Sequence, residues 1–491
     1  MNVNKRIVES YRIVFGYIGV IVMILAGILL LPLLVLLAYP EEMKYAVHFA
    51  IPAAAALISG LLLSLLLRGQ SDGQLTQRQD AIIVLGVWIA AVVLSAAPFV
   101  LAKQLNFTQA IFEAVSGWTT TGLSVVDVTV TPKVFLMHRS IMQFFGGVGI
   151  VLVMLSALSG TYGMRLYCAE GHADKLLPNL AKSARLILSI YAGYVLAGTL
   201  LYVAFDMPLF DAINHSIAAL STGGFSTKTD SIGAYKSLPI ELTTIILMLL
   251  GTTNFAAHLL LLRGNIKKFL LIGEIRFMLI LLAFSIPLVA FVSLNGLYGN
   301  VPQGIRVATF ELVSALTTTG FSTVSYSDWP SFAIFIMILL MLVGGGTGST
   351  AGGLKQNRIY LMGKAFYWNL TKNFQPEHGV RERYIYRPEG RVYIEDKQLT
   401  ETFNFAFLYM VLYFVGVAIL LAHGYPLQDS LFEFASAIGT VGLSVGLTAA
   451  DAPPLVLWTE SIGMFIGRLE IYVFFVAVIK LYKDAKHGLE R

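Results

Sequence analysis

Charge is what this sequence has least of. Lys, Arg, Asp and Glu make up 13% of its 491 residues, against 56% hydrophobic, and the mean hydropathy is +0.74. An ordinary soluble domain is about 25% charged, so a soluble chain of this length would have too few charges to cover its surface. The single cysteine, Cys168, excludes an intramolecular disulfide and a thiolate metal site. The eight histidines are scattered, with no HExxH and no pair at one-turn spacing, which removes the common zinc-hydrolase pattern. A net charge of +5, spread along the chain, is no footprint for nucleic acid. Clustered catalytic acids, histidines or metal ligands are also missing from the apolar segments, so an enzyme is not expected.

Long hydrophobic runs are what the chain has instead. A span needs roughly 20 apolar residues, and segments of that order lie near 11–39, 45–67, 80–102, 134–164, 185–206, 238–263, 269–295, 330–353, 402–423 and 454–481. They predict an all-α polytopic membrane protein with ten transmembrane helices. The first run is too long for a signal-peptide core and has no small-residue cleavage site, so it is expected as a retained span. Four amphipathic stretches, 107–118, 209–220, 305–316 and 428–438, are only about half as long as the hydrocarbon is thick. A half-length helix must dip in and return, which is tolerated where its loop is buried in protein or lines a water-filled path. Of the 34 Lys and Arg, 26 lie in the terminal segments and the connections on one side. That places both termini in the cytoplasm and has the half-helices enter from outside. The loop at 371–400 carries Arg381, Arg383, Arg387 and Arg391. It is a basic linker that satisfies the charge bias, or a docking surface for a regulatory partner.

Internal repetition is the most informative feature. Thr120-Thr121-Gly122-Leu123-Ser124, Thr222-Gly223-Gly224-Phe225-Ser226, Thr318-Thr319-Gly320-Phe321-Ser322 and Thr440-Val441-Gly442-Leu443-Ser444 align without gaps. Each follows one of the half-helices, and nine residues before each third-position glycine stand Glu113, His215, Glu311 and Glu433. Those glycines are 102, 96 and 122 residues apart, the longest interval holding the basic insertion. The unit is therefore helix, pore helix, filter loop, helix, in four pseudo-symmetric copies around one pore. The expected organisation is an extra helix pair at 1–78, repeats at 79–183, 184–268, 269–370 and 401–491, and the basic cytoplasmic loop at 371–400.

Such loops suit a cation. Glycine permits positive φ, which lets successive carbonyls turn toward one axis, and a ring of carbonyl dipoles can replace the water shell of potassium. The half-helices bring their partially negative C-terminal ends to the same place. Close helix packing would explain one small-residue loop, but it does not require fourfold repetition of a re-entrant unit. The acids at 113, 311 and 433 either lend negative potential to a pore mouth or tie down the N-terminal ends of the half-helices. The second reading is the simpler, since acids are favoured there.

With these residues in view, the chain resembles the Trk/Ktr/HKT superfamily of potassium transporters over nearly its whole length. The segment from Gln143 through Gly146, Gly147 and Gly149 is similar to the stretch after that family's first filter, and Asn254 to His258 is similar to its second-unit counterpart. The N-terminal helix pair and Gly467-Arg468-Leu469-Glu470-Ile471 resemble the bacterial TrkH type, while Gly439-Thr440-Val441-Gly442-Leu443 is closer to the Ktr branch. The resemblance implies K+ uptake across a bacterial inner membrane, with K+ bound by the filter backbone at Thr120, Thr121, Gly122, Thr222, Gly223, Gly224, Thr318, Thr319, Gly320, Thr440, Val441 and Gly442. It also implies a homodimer embedded in membrane lipid, regulated by a cytoplasmic nucleotide-binding ring of the TrkA/RCK type. No cofactor is expected in this chain.

Two features read as gating parts. Gly344, Gly345, Gly346, Thr347, Gly348 and Ser349 open a stretch with six glycines in ten residues, too many for a helix when each costs about 1 kcal/mol against alanine. The resemblance implies an intramembrane loop that obstructs the pore below the filter. Its Gly346-x-Gly348-x-x-Ala351 spacing fits a loose dinucleotide fingerprint but lacks the strand–helix context, so no nucleotide site is expected. Arg468 lies within the last apolar segment, where an arginine costs roughly 2.5–3.5 kcal/mol on insertion scales. Glu470, two residues on, does not face it on a helix, so its partner is expected elsewhere. An ion-coupled secondary transporter is the rival reading, though such proteins pair inverted repeats around a substrate pocket.

Overall fold

The computed structural model describes residues 3–67, 79–149, 180–295, 297–298, 300–372, 374 and 382–489. Cys168, most of 165–185 (with the 371–400 loop, an expected contact for a regulatory ring), the latter half of the 134–164 segment and Arg381 lie outside the described residues. The chain forms two compact units, one comprising Met1–Thr119, Ser124–Gly193 and Leu469–Arg491, the other Thr120–Leu123 and Tyr194–Arg468.

In the first unit, α1 (Val3–Leu30) lies along α2 (Ala46–Ser64), and α3 (Gln79–Leu101), α4 (Phe107–Trp118), α5 (Lys133–Val148) and the C-terminal helix Ile471–Leu489 belong to it as well. The α1–α2 contact is set by glycine. A β-carbon on Gly19 would meet the Gly60 carbonyl, and one on Gly60 would meet the Gly19 carbonyl, the close backbone approach that small residues allow in membranes. Phe49, Phe99, Phe135 and His138 meet in tilted and edge-on contacts, with ring centroids 5.2–5.6 Å apart. Both carboxylate oxygens of Glu42 accept from the first turn of α5, from Lys133 N at 2.8 Å and Val134 N at 2.9 Å. They satisfy donors that no helix satisfies itself.

The connection α6 (Leu180–Ala204) leads to the second unit. There follow α7 (Leu209–Leu220), α8 (Leu238–Gly251), α9 (Phe255–Leu262), the single turn α10 (Ile266–Leu271), α11 (Gly273–Val292), α12 (Val301–Thr317), α13 (Ser331–Val343), α14 (Gln356–Lys372), α15 (Asp396–Ala422), α16 (Leu427–Ile438) and α17 (Pro454–Arg468). The four short helices α4, α7, α12 and α16 fall where their amphipathic pattern put them, within four residues at either end. A strand pair, β1 (Tyr384–Arg387) antiparallel to β2 (Gly390–Tyr393), stands in the basic loop. Leu361 and Trp368 of α14 pack with Ile385 and Ile394, so this stretch holds a hairpin packed on a helix.

Six described helices are long and apolar enough to cross a membrane unbroken, or up to eight if each bent pair is one span. The expected continuous helix at 238–263 is two helices meeting at 115°. Asn254 accounts for the break, its side chain accepting from Ala256 N at 2.7 Å and so capping α9. The 330–353 segment is helical only to Val343, because Gly344 turns the chain at φ +70°. The last segment breaks at Glu470, at φ +59°.

Glycine position within a helix makes opposite effects testable. A β-carbon on Gly467 would strike the Ile438 carbonyl, whereas Gly193 of α6 has open space. Gly467→Val should lose about 1–3 kcal/mol through overpacking, and Gly193→Ala should gain about 1 kcal/mol. Thermal unfolding of the purified protein in detergent checks both signs.

Candidate functional site: four threonine–glycine loops and the segment beside them

Each of the four short helices ends in the same way. Thr120, Thr222, Thr318 and Thr440 take the left-handed conformation, at φ 54°, 51°, 55° and 50°. A β-branched residue there costs about 1–2 kcal/mol. In the second, third and fourth copies the helix closes in a Schellman motif. Gly223 N donates to Ala218 O at 2.8 Å, Thr319 N to Ser314 O at 3.0 Å and Val441 N to Ser436 O at 2.8 Å. The glycine two residues past each threonine is also at positive φ, 98°, 67°, 82° and 93° for Gly122, Gly224, Gly320 and Gly442.

Burial repeats with the backbone. In every copy the threonine, the middle residue and the Leu or Phe are buried, while the glycine and the serine are half-buried. The glycines also interlock. A β-carbon on Gly122 would run into the Gly223 carbonyl oxygen, one on Gly224 into that of Thr319, one on Gly320 into that of Val441, and one on Gly442 into that of Thr121. The contacts pass from first loop to second, third, fourth and back to the first. All twelve candidate residues therefore come together in one closed ring of backbone.

The segment Gly344–Lys355 lies on the threonine side of this ring. Thr222 and Thr350 share a hydroxyl contact of 3.1 Å, Gly352 N donates to Thr318 Oγ1 at 2.9 Å, and Gly352 is so close to Thr440 Oγ1 that it has no room for a β-carbon. Its own backbone is held from several directions. Gly346 N donates to Thr252 O at 3.0 Å and Thr350 N to Gly251 O at 3.2 Å. Thr347 N donates to Glu274 Oε1 at 3.2 Å, while Thr347 O accepts from Asn254 Nδ2 at 2.6 Å. Gly348 O accepts from Phe255 N at 3.0 Å. Gln356 donates through its backbone to Gly345 O at 2.8 Å and through Nε2 to Gly344 O at 3.0 Å. The break between α8 and α9 thus supplies what the broken segment needs. Arg468 Nη1 donates to Thr350 O and, at 3.5 Å, to Ala351 O. Its partners include backbone carbonyls of the glycine segment, across the interval the sequence left open.

The residues nine before each glycine hold the strand that leaves the ring rather than the start of the half-helix. Glu113 accepts from Ser124 Oγ at 3.0 Å, from Val125 N at 3.0 Å and from Arg139 Nε at 2.6 Å. His215 Nε2 lies 2.9 Å from Ser226 Oγ. Glu311 accepts from Thr323 N at 2.7 Å and from Tyr326 Oη at 2.5 Å. Glu433 accepts from Ser444 Oγ at 2.6 Å, Val445 N at 3.0 Å and Thr448 Oγ1 at 2.5 Å. Beyond the first ring strand, hydrogen bonds from the Thr129 hydroxyl and amide hold the exposed Asp127 carboxyl below the usual carboxylate range, so it is an anion at neutral pH.

Sequence reasoning missed Arg139, Asn254 as a loop anchor, Thr350, Gln356 and Glu460. Arg139 carried the same signal as Arg468, an arginine within an apolar segment. Glu460 carried it too, as an acid within the last apolar segment, whereas Asn254 and Thr350 carried none, their partners lying 93 and 128 residues away.

Comparison with known proteins follows the same lines. The sequence profile of the TrkH family, described as a cation transport protein, matches residues 48–487. The chain belongs to the TrkH family of cation transport proteins. Within it the chain is 30% identical over 483 residues to an uncharacterized cation transporter of Methanocaldococcus jannaschii, covering 98% of this chain and 97% of that protein. It is 31% identical over 484 residues to the Trk system potassium uptake protein TrkG of Escherichia coli, covering 94% and 96% respectively. The crystal structure of the potassium transporter TrkH from Vibrio parahaemolyticus superposes with a TM-score of 0.82 at 27% identity, over 95% of this chain and 98% of that one. TrkH-family membership makes this a membrane transport protein and not an enzyme.

The ion pair behind the first loop is buried, with side-chain exposures of 3% for Arg139 and 0% for Glu113. Glu113→Ala should therefore cost about 3–5 kcal/mol, chiefly by stranding a buried guanidinium. The double variant Glu113→Leu/Arg139→Met should recover at least half of that loss in the same thermal-unfolding measurement.

Proposed function

We propose that this chain takes up potassium across the cytoplasmic membrane through one central pore. The closed ring of four Thr-x-Gly loops carries the reading, because each glycine lies against the next loop's carbonyl and no filter position bears a fixed charge. Carbonyl dipoles in that arrangement replace the hydration shell of a potassium ion, and the C-terminal ends of four half-helices add negative potential. The relatives named as potassium uptake proteins and potassium transporter support the choice of ion. In this reading the filter is built from Thr120–Gly122, Thr222–Gly224, Thr318–Gly320 and Thr440–Gly442.

The wider architecture is proposed with it: ten spans in four repeats with an extra N-terminal pair, the repeat boundaries given above, and both termini in the cytoplasm. Gly344–Ser349 and the residues up to Lys355 form the gate, obstructing the path on the threonine side of the filter. Arg468 holds that loop through its carbonyls, and its charge lowers the affinity of a cation below the filter. The protomer works as a homodimer, controlled by a TrkA/RCK-type nucleotide-binding ring on the cytoplasmic face. The β1–β2 hairpin is a contact for that ring, since α14 joins it directly to the gate segment.

Uptake of ⁸⁶Rb⁺ into KCl-loaded proteoliposomes, with the regulatory partner added back if the chain alone is silent, tests this. Uptake should be competed by external K⁺ and hardly by Na⁺. Gly122→Ser places a side chain against the Gly223 carbonyl and should cut the K⁺ over Na⁺ preference by about tenfold, a loss of roughly 1.4 kcal/mol in discrimination. Arg468→Ala should raise the leak without partner. Uptake indifferent to both substitutions returns the molecule to the class of solute-coupled transporters.

A further inference from the structure

Behind the fourth loop stand two buried acids that share one hydroxyl. Glu460, on α17, is fully buried, as is Glu433 on α16. Thr448 stands between them, its Oγ1 2.5 Å from Glu433 Oε1 and 3.1 Å from Glu460 Oε2. The two carboxylates therefore reach for one hydroxyl proton.

Counting donors decides between them. Glu433 receives the Ser444 hydroxyl at 2.6 Å, the amides of Val445 and Thr448 at 3.0 Å each and the nearer approach of the Thr448 hydroxyl. That is a full set for an anion, and it leaves Thr448 no proton for Glu460. Glu460 Oε1 has no hydrogen-bond partner either. An ionised carboxylate without donors is too costly to keep at such a site, whereas a protonated one donates from Oε2 to Thr448 Oγ1 and completes the chain.

The first loop shows what the outgoing helix otherwise supplies. Arg139 stands 17 residues after Gly122, and Glu460 stands 18 after Gly442. Arg139 neutralises Glu113 with a cation. At the fourth loop the same region of the helix carries an acid, so no cation stands against Glu433 there. The titratable groups acting at this site are Glu433 on α16 and Tyr425 in the turn before it, with Asp451 beyond Tyr425.

We propose that Glu460 is protonated at neutral pH and is a positioning residue for the fourth loop, acting through Thr448 and Glu433 on Ser444 and Val445. The loop's role in selecting a cation rests on the function proposed above, but the proton on Glu460 does not. Loss of that proton in alkali sets a second anion against Glu433, removes the donor to Thr448 and loosens the strand leaving Gly442.

Two measurements on the intact protein in lipid test this. Infrared spectra at neutral pH should show a protonated-carboxyl C=O band that Glu460→Gln removes and Glu433→Gln does not. In the ⁸⁶Rb⁺ assay, the wild type should lose K⁺ over Na⁺ preference in alkali while Glu460→Gln, which keeps a neutral donor, holds it across the same range. Glu460→Ala should lose about tenfold in preference already at neutral pH, the scale of one buried hydrogen bond to a charged network. An infrared band unaffected by Glu460→Gln overturns the proton, whatever happens to transport. A band that vanishes as expected, with wild type and Glu460→Gln equally insensitive to alkali, overturns the positioning role alone.

Discussion

The absence of a β-carbon at four positions is the constraint on which the second unit depends. At Gly122, Gly224, Gly320 and Gly442 the neighbouring loop's carbonyl occupies the place a side chain would take. Each loop is therefore packed by the next one's backbone, and no loop closes the circle alone. The left-handed threonine that precedes each glycine by two residues is a strained conformation that isolated helix ends would shed. Four of them persist because the ring and the buried half-helices determine them jointly.

Behind this shared backbone the side chains diverge. One position, nine residues before the glycine, does the same mechanical task with four chemistries: an acid paired to Arg139, a histidine bonded to a serine, an acid held by Tyr326, and an acid linked through Thr448 to Glu460. Symmetry is strict where carbonyls must converge and relaxed where a strand only has to be tied. A ring of four like turns still has four separately adjustable supports.

Much of this was legible in the sequence, and the boundary of legibility is physical. The four short helices show because an amphipathic stretch too short to span is a local signal, and the Thr-x-Gly repeat shows because it recurs at one offset. The gap at Val343 shows in its glycines. The break at Asn254 does not, since composition reports 238–263 as one apolar run. The Asn254 cap bends it, and the groups freed there serve Gly346, Thr347 and Gly348 some ninety residues on. The hairpin at 384–393 was hidden by its charge, which marks it as exposed and says nothing about the apolar face that Ile385 and Ile394 lay on α14.

Gln356 ties the glycine segment to that exposed hairpin. It is the first residue of α14, and it grips Gly344 and Gly345 through its amide and its side chain at once. The segment it holds is fixed in shape by hydrogen bonds to Thr222, to Gly251–Phe255, to Glu274, to Thr318 and to Arg468. A small displacement would break those bonds before any replacements came within reach, leaving peptide groups unpaired where no bulk water waits. Halfway positions are therefore expensive ones. Through Gln356, a displacement of α14 would bear first on Gly344 and Gly345.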